Sequence, residues 1–561
     1  MVNSSKFQNY SIRPLGLIAS SVALFLVGCG GSGNGPLPTP GELAAACPAM
    51  TTKTVASNEI GLSTDGAIVT SATLVEANAT GNTNGQYCKI LGRIAADAKS
   101  KASGTPDIQF QLNLPTNWNR KALQMGGGGY NGTVVNGTGA ISHVPGPTPL
   151  SQNYATFGSD SGHVGSSATA EFALNDGALL NFGYQHLKKT KDTAFSLIKS
   201  FYGASPQRSY FAGASTGGRE GMTVVQRFPN DYDGVIANAP AIYFWGLRLM
   251  GVRIGQVEYK TPGGFVPPAK FNLVRTTAIS KCDADDGVVD GIVSNSEACK
   301  AKEALIIATL RCPSGTDEGP NCLSDAQLQT IRSATDDIVL PYQLAYGVNR
   351  YRGHRLFEGT DMANGLGVAA SPTYTPPPTV AANGYLFTQG DNYMQYVISR
   401  STSFDTLSFD INRPGQYQQR LVEMSDVIGA MNPDTSAFQA RGGKLIISQG
   451  LADDAVSPGT TIDYYQDQIT RYGKFKVDTF FKLYTVPGLG HGRGAFYPSY
   501  DQLSLLDKWV TDGVAPTTQV GTDTSAASAG RTRPICLFPT WPKYNGSGDI
   551  NKAENYNCVA S

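Results

Sequence analysis

Ser209-Tyr210-Phe211-Ala212-Gly213-Ala214-Ser215-Thr216-Gly217-Gly218-Arg219-Glu220-Gly221-Met222 decides how the rest of this sequence is read. Its aromatic and apolar opening has the character of a buried strand, Gly213 to Gly217 fits the pattern G-x-S-x-G, and the segment onward to Arg227 reads as a helix. A serine on so tight a strand-to-helix turn sits at an awkward backbone angle, and flanking glycines permit it because side chains there would strike the neighbouring elements. The hydroxyl then stands clear at the strand tip, beside the amide-rich start of the helix. In a chain with 64 glycines the pentapeptide alone also fits an ordinary turn. The strand before it and the helix after it are what single out Ser215 as a candidate nucleophile.

The chain has 561 residues, too many for one simple core, and suggests two or three domain-sized units. Charged residues make up 16% and the formal net charge is zero, without the Lys/Arg clusters that track a phosphate backbone. Nucleic acid is therefore excluded as a partner, and a small, weakly charged ligand handled by a monomer fits better.

Lys6 and Arg13 precede the apolar run Leu15 to Val27, too short to span a bilayer comfortably, and Leu26-Val27-Gly28-Cys29 closes it. This resembles a bacterial lipoprotein signal, in which residues 1–28 are removed and Cys29 becomes the acylated first residue. A plain secretory signal or an uncleaved anchor is the alternative. Residues 29–46, rich in Gly, Ser and Pro as far as Gly41, read as a flexible tether to the outer membrane or cell surface. Export gives the other cysteines their meaning. Cys47, Cys88, Cys282, Cys299, Cys312, Cys322, Cys536 and Cys558 form an even set suited to an oxidising compartment. Pairing sequence neighbours gives 47 with 88, 282 with 299, 312 with 322 and 536 with 558, one of the 105 connectivities that eight cysteines allow.

Along the chain, Ile108 to Leu114 alternates as a strand and leads into Met125-Gly126-Gly127-Gly128-Gly129-Tyr130-Asn131-Gly132. Such a run lets backbone amides approach a ligand closely, as an oxyanion hole requires, although a flexible turn has the same composition. Its place, upstream of the serine and just after a strand, is where a hydrolase of this type keeps its second oxyanion amide. Tyr154 to Phe157 reads as a strand and Phe172 to Gly203 as a helical crossover to the serine strand. From about Trp245 to Gly429 the strand-helix alternation lapses while Pro, Gly, Tyr and four cysteines accumulate, which reads as an inserted lid. Inside it, Cys282-Asp283-Ala284-Asp285-Asp286-Gly287-Val288-Val289-Asp290-Gly291-Ile292 offers closely spaced carboxylates with glycines at the bends. That suits a hard cation, without matching EF-hand spacing; a solvated acidic loop is the alternative.

Regular structure resumes at Lys444-Leu445-Ile446-Ile447-Ser448 and ends in Gln449-Gly450-Leu451-Ala452-Asp453-Asp454. A second apolar strand, Phe480 to Val486, runs into Pro487-Gly488-Leu489-Gly490-His491-Gly492. An acid and then a histidine at strand tips after the serine is the chain order of an α/β-hydrolase. Of five histidines, His143, His163 and His186 precede Ser215 and His354 falls in the lid, which leaves His491 as the base.

These stretches, with Arg227-Phe228-Pro229-Asn230-Asp231-Tyr232-Asp233-Gly234 and the tail motifs Arg531-Thr532-Arg533-Pro534 and Gly546-Ser547-Gly548-Asp549-Ile550-Asn551, carry a resemblance over nearly the whole chain. The sequence is similar to the tannase and feruloyl esterase family, and within it to the mono(2-hydroxyethyl) terephthalate hydrolase type. The resemblance implies an α/β-hydrolase core in two parts, 47–240 and 434–561, around a lid at 241–433. It implies Ser215 as nucleophile, His491 as general base, and Asp453 in preference to Asp454 as the orienting acid, with the amides of Gly129 and Thr216 as oxyanion hole. It also implies a structural Ca2+ held by Asp283, Asp286 and Asp290 with the carbonyls of Val288 and Ile292. One departure stands out: family members place bridged cysteines where this chain has Ala214 and Gly492, so the histidine loop here is either more mobile or held by packing. The expected substrates are small aromatic esters of hydroxycinnamate, gallate or terephthalate type. Tyr385, Phe387, Tyr393 and Tyr396 are either ring contacts or lid core, and Arg400 is a poor match for an arginine that grips a second carboxylate. A membrane-tethered, non-catalytic binding module and an acyltransferase on the same fold are the alternatives.

Overall fold

The computed structural model describes residues 37–99, 102–363 and 366–560. The expected signal peptide at 1–28, the lipidation site Cys29 and the first part of the tether lie outside the described residues. The tether is shorter than expected, because a helix already runs from Pro40–Ala46. Thr39 caps it, Pro40 occupies its first turn, and the Glu42 carboxylate reaches back to the Thr39 amide at 2.7 Å, a reciprocal capping box readable in the sequence. Leu43 is buried, and Cys47 directly after the helix is bridged to Cys88, so this segment belongs to the fold.

A ten-stranded sheet organises the described chain. Its strands are β1 (Thr54–Val55), β2 (Ala67–Val75), β3 (Tyr87–Ile94), β4 (Ile108–Pro115), β5 (Lys121–Met125), β6 (Ala155–Ser159), β7 (Arg208–Ala214), β8 (Gly234–Asn238), β9 (Lys444–Gly450) and β10 (Phe481–Val486). The spatial order is β1-β2-β3-β4-β6-β5-β7-β8-β9-β10. β1 to β4 and the β4-β6 pair are antiparallel, and β6 through β10 run parallel. The parallel strands are almost continuously buried, as a sheet covered on both faces must be. Phe211, Val235, Ala237, Leu445, Ile447 and Leu483 point into one core, while Tyr210, Ala212, Ile236, Ile446 and Tyr484 point into the core on the other face.

Between β8 and β9 the chain leaves the sheet. The excursion is mainly helical, with Phe244–Lys260, Pro268–Cys282, Asp325–Thr335, Tyr385–Asn392 and Gln418–Val427 among its longer elements, plus a ladder of Ile338–Val339 with Arg350–Tyr351. Its apolar residues, such as Leu249, Ile331, Leu386 and Leu421, continue the core that Phe211 and Val235 begin. The four disulfides join sequence neighbours, 47–88, 282–299, 312–322 and 536–558. Each restricts the unfolded chain and is worth roughly 2 to 4 kcal/mol.

Parallel strands present all their carboxyl ends on one edge, the place where open α/β sheets gather ligands. The glycine run follows β5, Ser215 follows β7, Asp453 lies three residues beyond β9 and His491 five beyond β10. Residues distant in sequence are thus delivered to a common edge.

Candidate active site

β7 ends at Ala214 and the helix Thr216–Arg227 begins two residues later, so Ser215 alone makes the turn, at φ 60° and ψ −120°. A non-glycine residue held there costs on the order of 1 to 3 kcal/mol. Its peptide is fixed on both sides: the Ser215 N–H donates to the Asn238 carbonyl at 3.0 Å, and its own carbonyl accepts from Arg219 at 3.0 Å and Ala241 at 3.1 Å. Gly213 is required by close approach, since a Cβ there would lie 2.6 Å from the Gly217 carbonyl oxygen.

The Ser215 Oγ lies 3.0 Å from His491 Nε2, and His491 Nδ1 lies 3.1 and 3.0 Å from the two carboxylate oxygens of Asp453. With Nδ1–H donating to Asp453, Nε2 is left as the acceptor that faces the hydroxyl. Asp453 has no solvent exposure, and its Oδ1 accepts from the amides of Ala455 at 2.9 Å and Val456 at 2.8 Å. Burial pushes its carboxyl upward, but the charge and hydrogen bond of His491 and the Val456 amide outweigh burial and hold it below the usual carboxylate range. For His491 the signs reverse: burial disfavours the imidazolium, the Asp453 charge and hydrogen bond favour it more strongly, and the balance lies above the ordinary histidine value. Asp454 turns elsewhere, accepting from Leu366 N at 2.6 Å and His491 N at 3.3 Å and pairing with Arg493. Asp453, and not Asp454, faces the imidazole.

The glycine run packs directly on the start of the serine helix. Gly217 N–H donates to the Gly127 carbonyl at 2.8 Å, and the Thr216 hydroxyl donates to the Gly129 carbonyl at 2.6 Å. Thr216 is the first helical residue, so its amide has no carbonyl behind it within the helix. Gly129, at φ +58°, donates its amide to no other group among the described residues. Among the described residues both expected oxyanion donors are therefore N–H groups without a partner, one in the glycine loop and one at the start of the adjoining helix.

Two residues not singled out from the sequence complete this environment. Glu220, fully buried on the serine helix, accepts from Gly127 N at 3.1 Å and Asn131 Nδ2 at 2.6 Å, and so grips the glycine loop on both sides of Gly129. His186 lies 3.4 Å from that carboxylate and bonds Ser159 Oγ at 3.0 Å through its other nitrogen. Burial raises the Glu220 carboxyl, but His186 and Arg219 outweigh it and keep it low. A glutamate on a helix usually reads as a solvated charge, and only its place one turn after the elbow hinted otherwise. The second residue is His143, whose ring stands edge-to-face on His491 with centroids 4.4 Å apart.

The expected aromatic contacts divide. Phe387 packs among Tyr259 and Tyr374 with centroids 5.4 Å away, and Tyr393 lies fully buried against Phe244, so both are core of the inserted region. Tyr385 and Tyr396 are only partly buried. Arg400 is committed to Asp176 and the Leu174 carbonyl. A cavity of about 260 Å³ adjoins Asp454, Gly490 and Arg493 and reaches Arg275, Glu358 and Asp361 of the insertion, but Ser215 does not line it.

In the acidic loop, Asp283 accepts from the amides of Asp290 at 3.2 Å and Gly291 at 2.9 Å, Asp286 from Val288 at 3.2 Å, and Asp290 from Ile292 at 3.0 Å and from Arg533. Among the described residues Asp286 Oδ2 is buried without a hydrogen-bond partner, and burial pushes that carboxyl up to about 6. Among the described residues no three His, Cys, Asp or Glu side chains converge closely enough to hold an ion. A cation here would draw on the Val288 and Ile292 carbonyls as well. The donor types, carboxylate and carbonyl oxygens, suit a hard cation, although the three carboxylates do not converge on one point as they stand and Asp290 is paired with Arg533.

Residues 88–559 match the family model for tannase and feruloyl esterase. An uncharacterized esterase of Agrobacterium fabrum is 41% identical over 528 residues, covering 93% of this chain and 94% of that protein. The mono(2-hydroxyethyl) terephthalate hydrolase of Piscinibacter sakaiensis is 30% identical over 535 residues, covering 85% of each. Among solved structures, feruloyl esterase B from Aspergillus oryzae superposes with a TM-score of 0.72 at 23% identity, covering 92% of this chain and all of that one. That likeness shows the fold, an α/β-hydrolase with a large insertion. The chain belongs to the tannase and feruloyl esterase family and is a carboxylic ester hydrolase.

Proposed function

We propose that this esterase cleaves esters of aromatic acids, of the hydroxycinnamate, gallate or terephthalate type, through an acyl-enzyme on Ser215. The observation that carries the reading is the unbroken hydrogen-bonded line from Ser215 Oγ through His491 to buried Asp453, beside the free amides of Gly129 and Thr216. His491 Nε2 takes the serine proton as Oγ attacks the ester carbonyl. The oxyanion that forms meets the two amides, which are already in place and need no reorganisation. Nε2 then returns the proton to the departing alcohol, and a water activated by the same nitrogen releases the acid. Asp453 keeps the proton on Nδ1 and stabilises the imidazolium while it exists.

The aromatic class is supported by relatives named for feruloyl and terephthalate esters. The test is a panel of methyl ferulate, methyl gallate, mono- and diesters of terephthalate and a short aliphatic ester, with released acid measured directly. At least one aromatic ester is expected to exceed the aliphatic one in kcat/KM. A preference for the aliphatic ester throughout would overturn the substrate class.

The acidic loop is read as a structural calcium site, with Asp283, Asp286 and Asp290 and the carbonyls of Val288 and Ile292 as ligands once the loop draws together around the ion. A bound ion would neutralise carboxylates that burial otherwise forces upward. At 100-fold excess over its dissociation constant it adds about 2.7 kcal/mol of stability. Chelation is accordingly expected to lower the melting temperature, with Ca2+ restoring it and Mg2+ failing to, because the smaller ion demands stricter octahedral geometry. Identical melting curves with and without chelator would count against the site. Export and a lipid anchor at Cys29 accord with the four disulfides, which persist in oxidising compartments.

A further inference from the structure

His143 is one of the residues that hold a backbone of positive φ without being glycine, at +69°. Contacts from other elements hold its segment in place. The preceding carbonyl, of Ser142, accepts from Asn238 Nδ2 at 2.9 Å, Ile141 and Val144 are buried, and the Pro145 carbonyl accepts from Tyr500 N at 3.2 Å. The loop is pinned on both sides of the histidine.

Its ring is directed at one neighbour. The interplanar angle with His491 is 83°, the edge-to-face arrangement that aromatic rings prefer. The following residue, Gly492, leaves the space the ring occupies: a Cβ at 492 would fall 3.1 Å from His143 Cδ2 and 3.3 Å from Nε2. Nδ1 is buried and has no hydrogen-bond partner among the described residues. Burial, and after it the neighbouring His491, push the His143 imidazole down to about 3, so it stays neutral beside a ring that must gain and lose a proton.

The same Asn238 that fixes Ser142 also accepts the Ser215 N–H at 3.0 Å and is the register partner of Ala214. A closed circuit results: Ser215 to Asn238, Asn238 to Ser142, His143 to His491, and His491 Nε2 back to Ser215 Oγ at 3.0 Å. The serine turn and the histidine loop are joined without a covalent link between positions 214 and 492.

We propose that His143 is a positioning residue, holding the His491 ring at the angle from which Nε2 faces Ser215. The proposal rests on the acyl-transfer reading above, and it assigns His143 a packed ring's role and no proton transfer. Misplacing a catalytic group by about 1 Å costs on the order of 100-fold.

The test compares wild type with His143→Ala, His143→Gln and His143→Phe on the preferred aromatic ester, alongside the rate of covalent labelling by a fluorophosphonate and the melting temperature. His143→Ala is expected to lower kcat by about 10- to 100-fold with KM changed less than about threefold, and to slow labelling by the same factor. His143→Gln, which keeps bulk without the ring, should follow it and serves as the comparison if the alanine variant melts early. His143→Phe should stay within about threefold of wild type, because an aromatic edge is retained. Wild-type kcat and labelling in both His143→Ala and His143→Gln, a loss confined to KM, or a phenylalanine variant as poor as alanine would overturn the inference alone. A wild-type protein that neither labels nor hydrolyses any ester would overturn the acyl-transfer reading and this inference with it.

Discussion

Asp453→Asn is expected to lower kcat by about 10⁴-fold and Ser215→Ala by about 10⁶-fold, while Asp454→Asn costs far less. The asparagine keeps the shape of Asp453 but can turn an NH2 group toward His491 Nδ1. Nδ1 must then become the acceptor, the proton moves to Nε2, and the nitrogen facing Ser215 can no longer take the serine proton. The surroundings leave little room for an escape, because Asp453 Oδ1 is already bonded to two backbone amides and the side chain is fully buried. Asp454 is the next residue after Asp453 in sequence, yet its carboxylate holds the His491 and Leu366 amides and Arg493, so its loss loosens a loop without changing a tautomer. Steady-state kinetics on the three variants, with melting temperatures as the folding control, separates these roles. Comparable losses at 453 and 454 would remove Asp453 from the mechanism.

The pH profile follows from the same contacts. The base form of His491 is the active one, so kcat/KM rises with pH through its apparent pKa. Burial lowers that value and Asp453 raises it by more, which puts the acidic limb above the ordinary histidine range near 6.5. For stability the sign is opposite: a histidine raised by folding stabilises the protein fully below its unfolded value, and that contribution is lost as pH climbs through the folded one. Residual activity of Asp453→Asn should show its limb moved to lower pH.

What could be read from the sequence was what sits on strand tips. A buried strand ending in Gly-Ala-Ser-Thr-Gly, another ending before Asp453 and a third before His491 all announce themselves by local pattern, and parallel strands bring their ends together wherever they lie in the chain. The helix Pro40–Ala46 went unread, because the glycine- and proline-rich run before it drew the tether past the Thr39 and Glu42 capping pair. His143 and Glu220 belong to another category. The contact of His143 with His491 arises from a loop pinned by Asn238, and the grip of Glu220 on Gly127 and Asn131 crosses from a helix to a separate strand tip. No spacing or composition encodes such a meeting. Chain order, which singled out His491, also set His143 aside. Phe387 and Tyr393 show the converse limit, since an aromatic residue in an inserted helix has the same signature whether it faces a ligand or the core.

Gly129→Ala is the second large effect, with an expected loss in kcat of about 10²- to 10³-fold, the scale of removing one oxyanion donor. At φ +58° an alanine is already disfavoured, and its Cβ would stand 2.3 Å from the Ser167 carbonyl oxygen, which itself accepts from Tyr130 N at 2.8 Å. Because Ser167 is tied to the next residue of the same loop, it cannot simply yield, and the Gly129 peptide must rotate. That rotation also breaks the bond from the Thr216 hydroxyl to the Gly129 carbonyl, so the amides of both loops lose their common reference. Thr216→Val removes that tie while leaving the Gly129 conformation alone, and should produce a smaller loss in the same direction. Binding of the neutral ester does not use the developing charge, so the change belongs in kcat, with KM nearly constant. A Gly129→Ala enzyme with full kcat would mean that the oxyanion is held elsewhere, and a loss seen mainly in KM would place Gly129 in substrate binding instead.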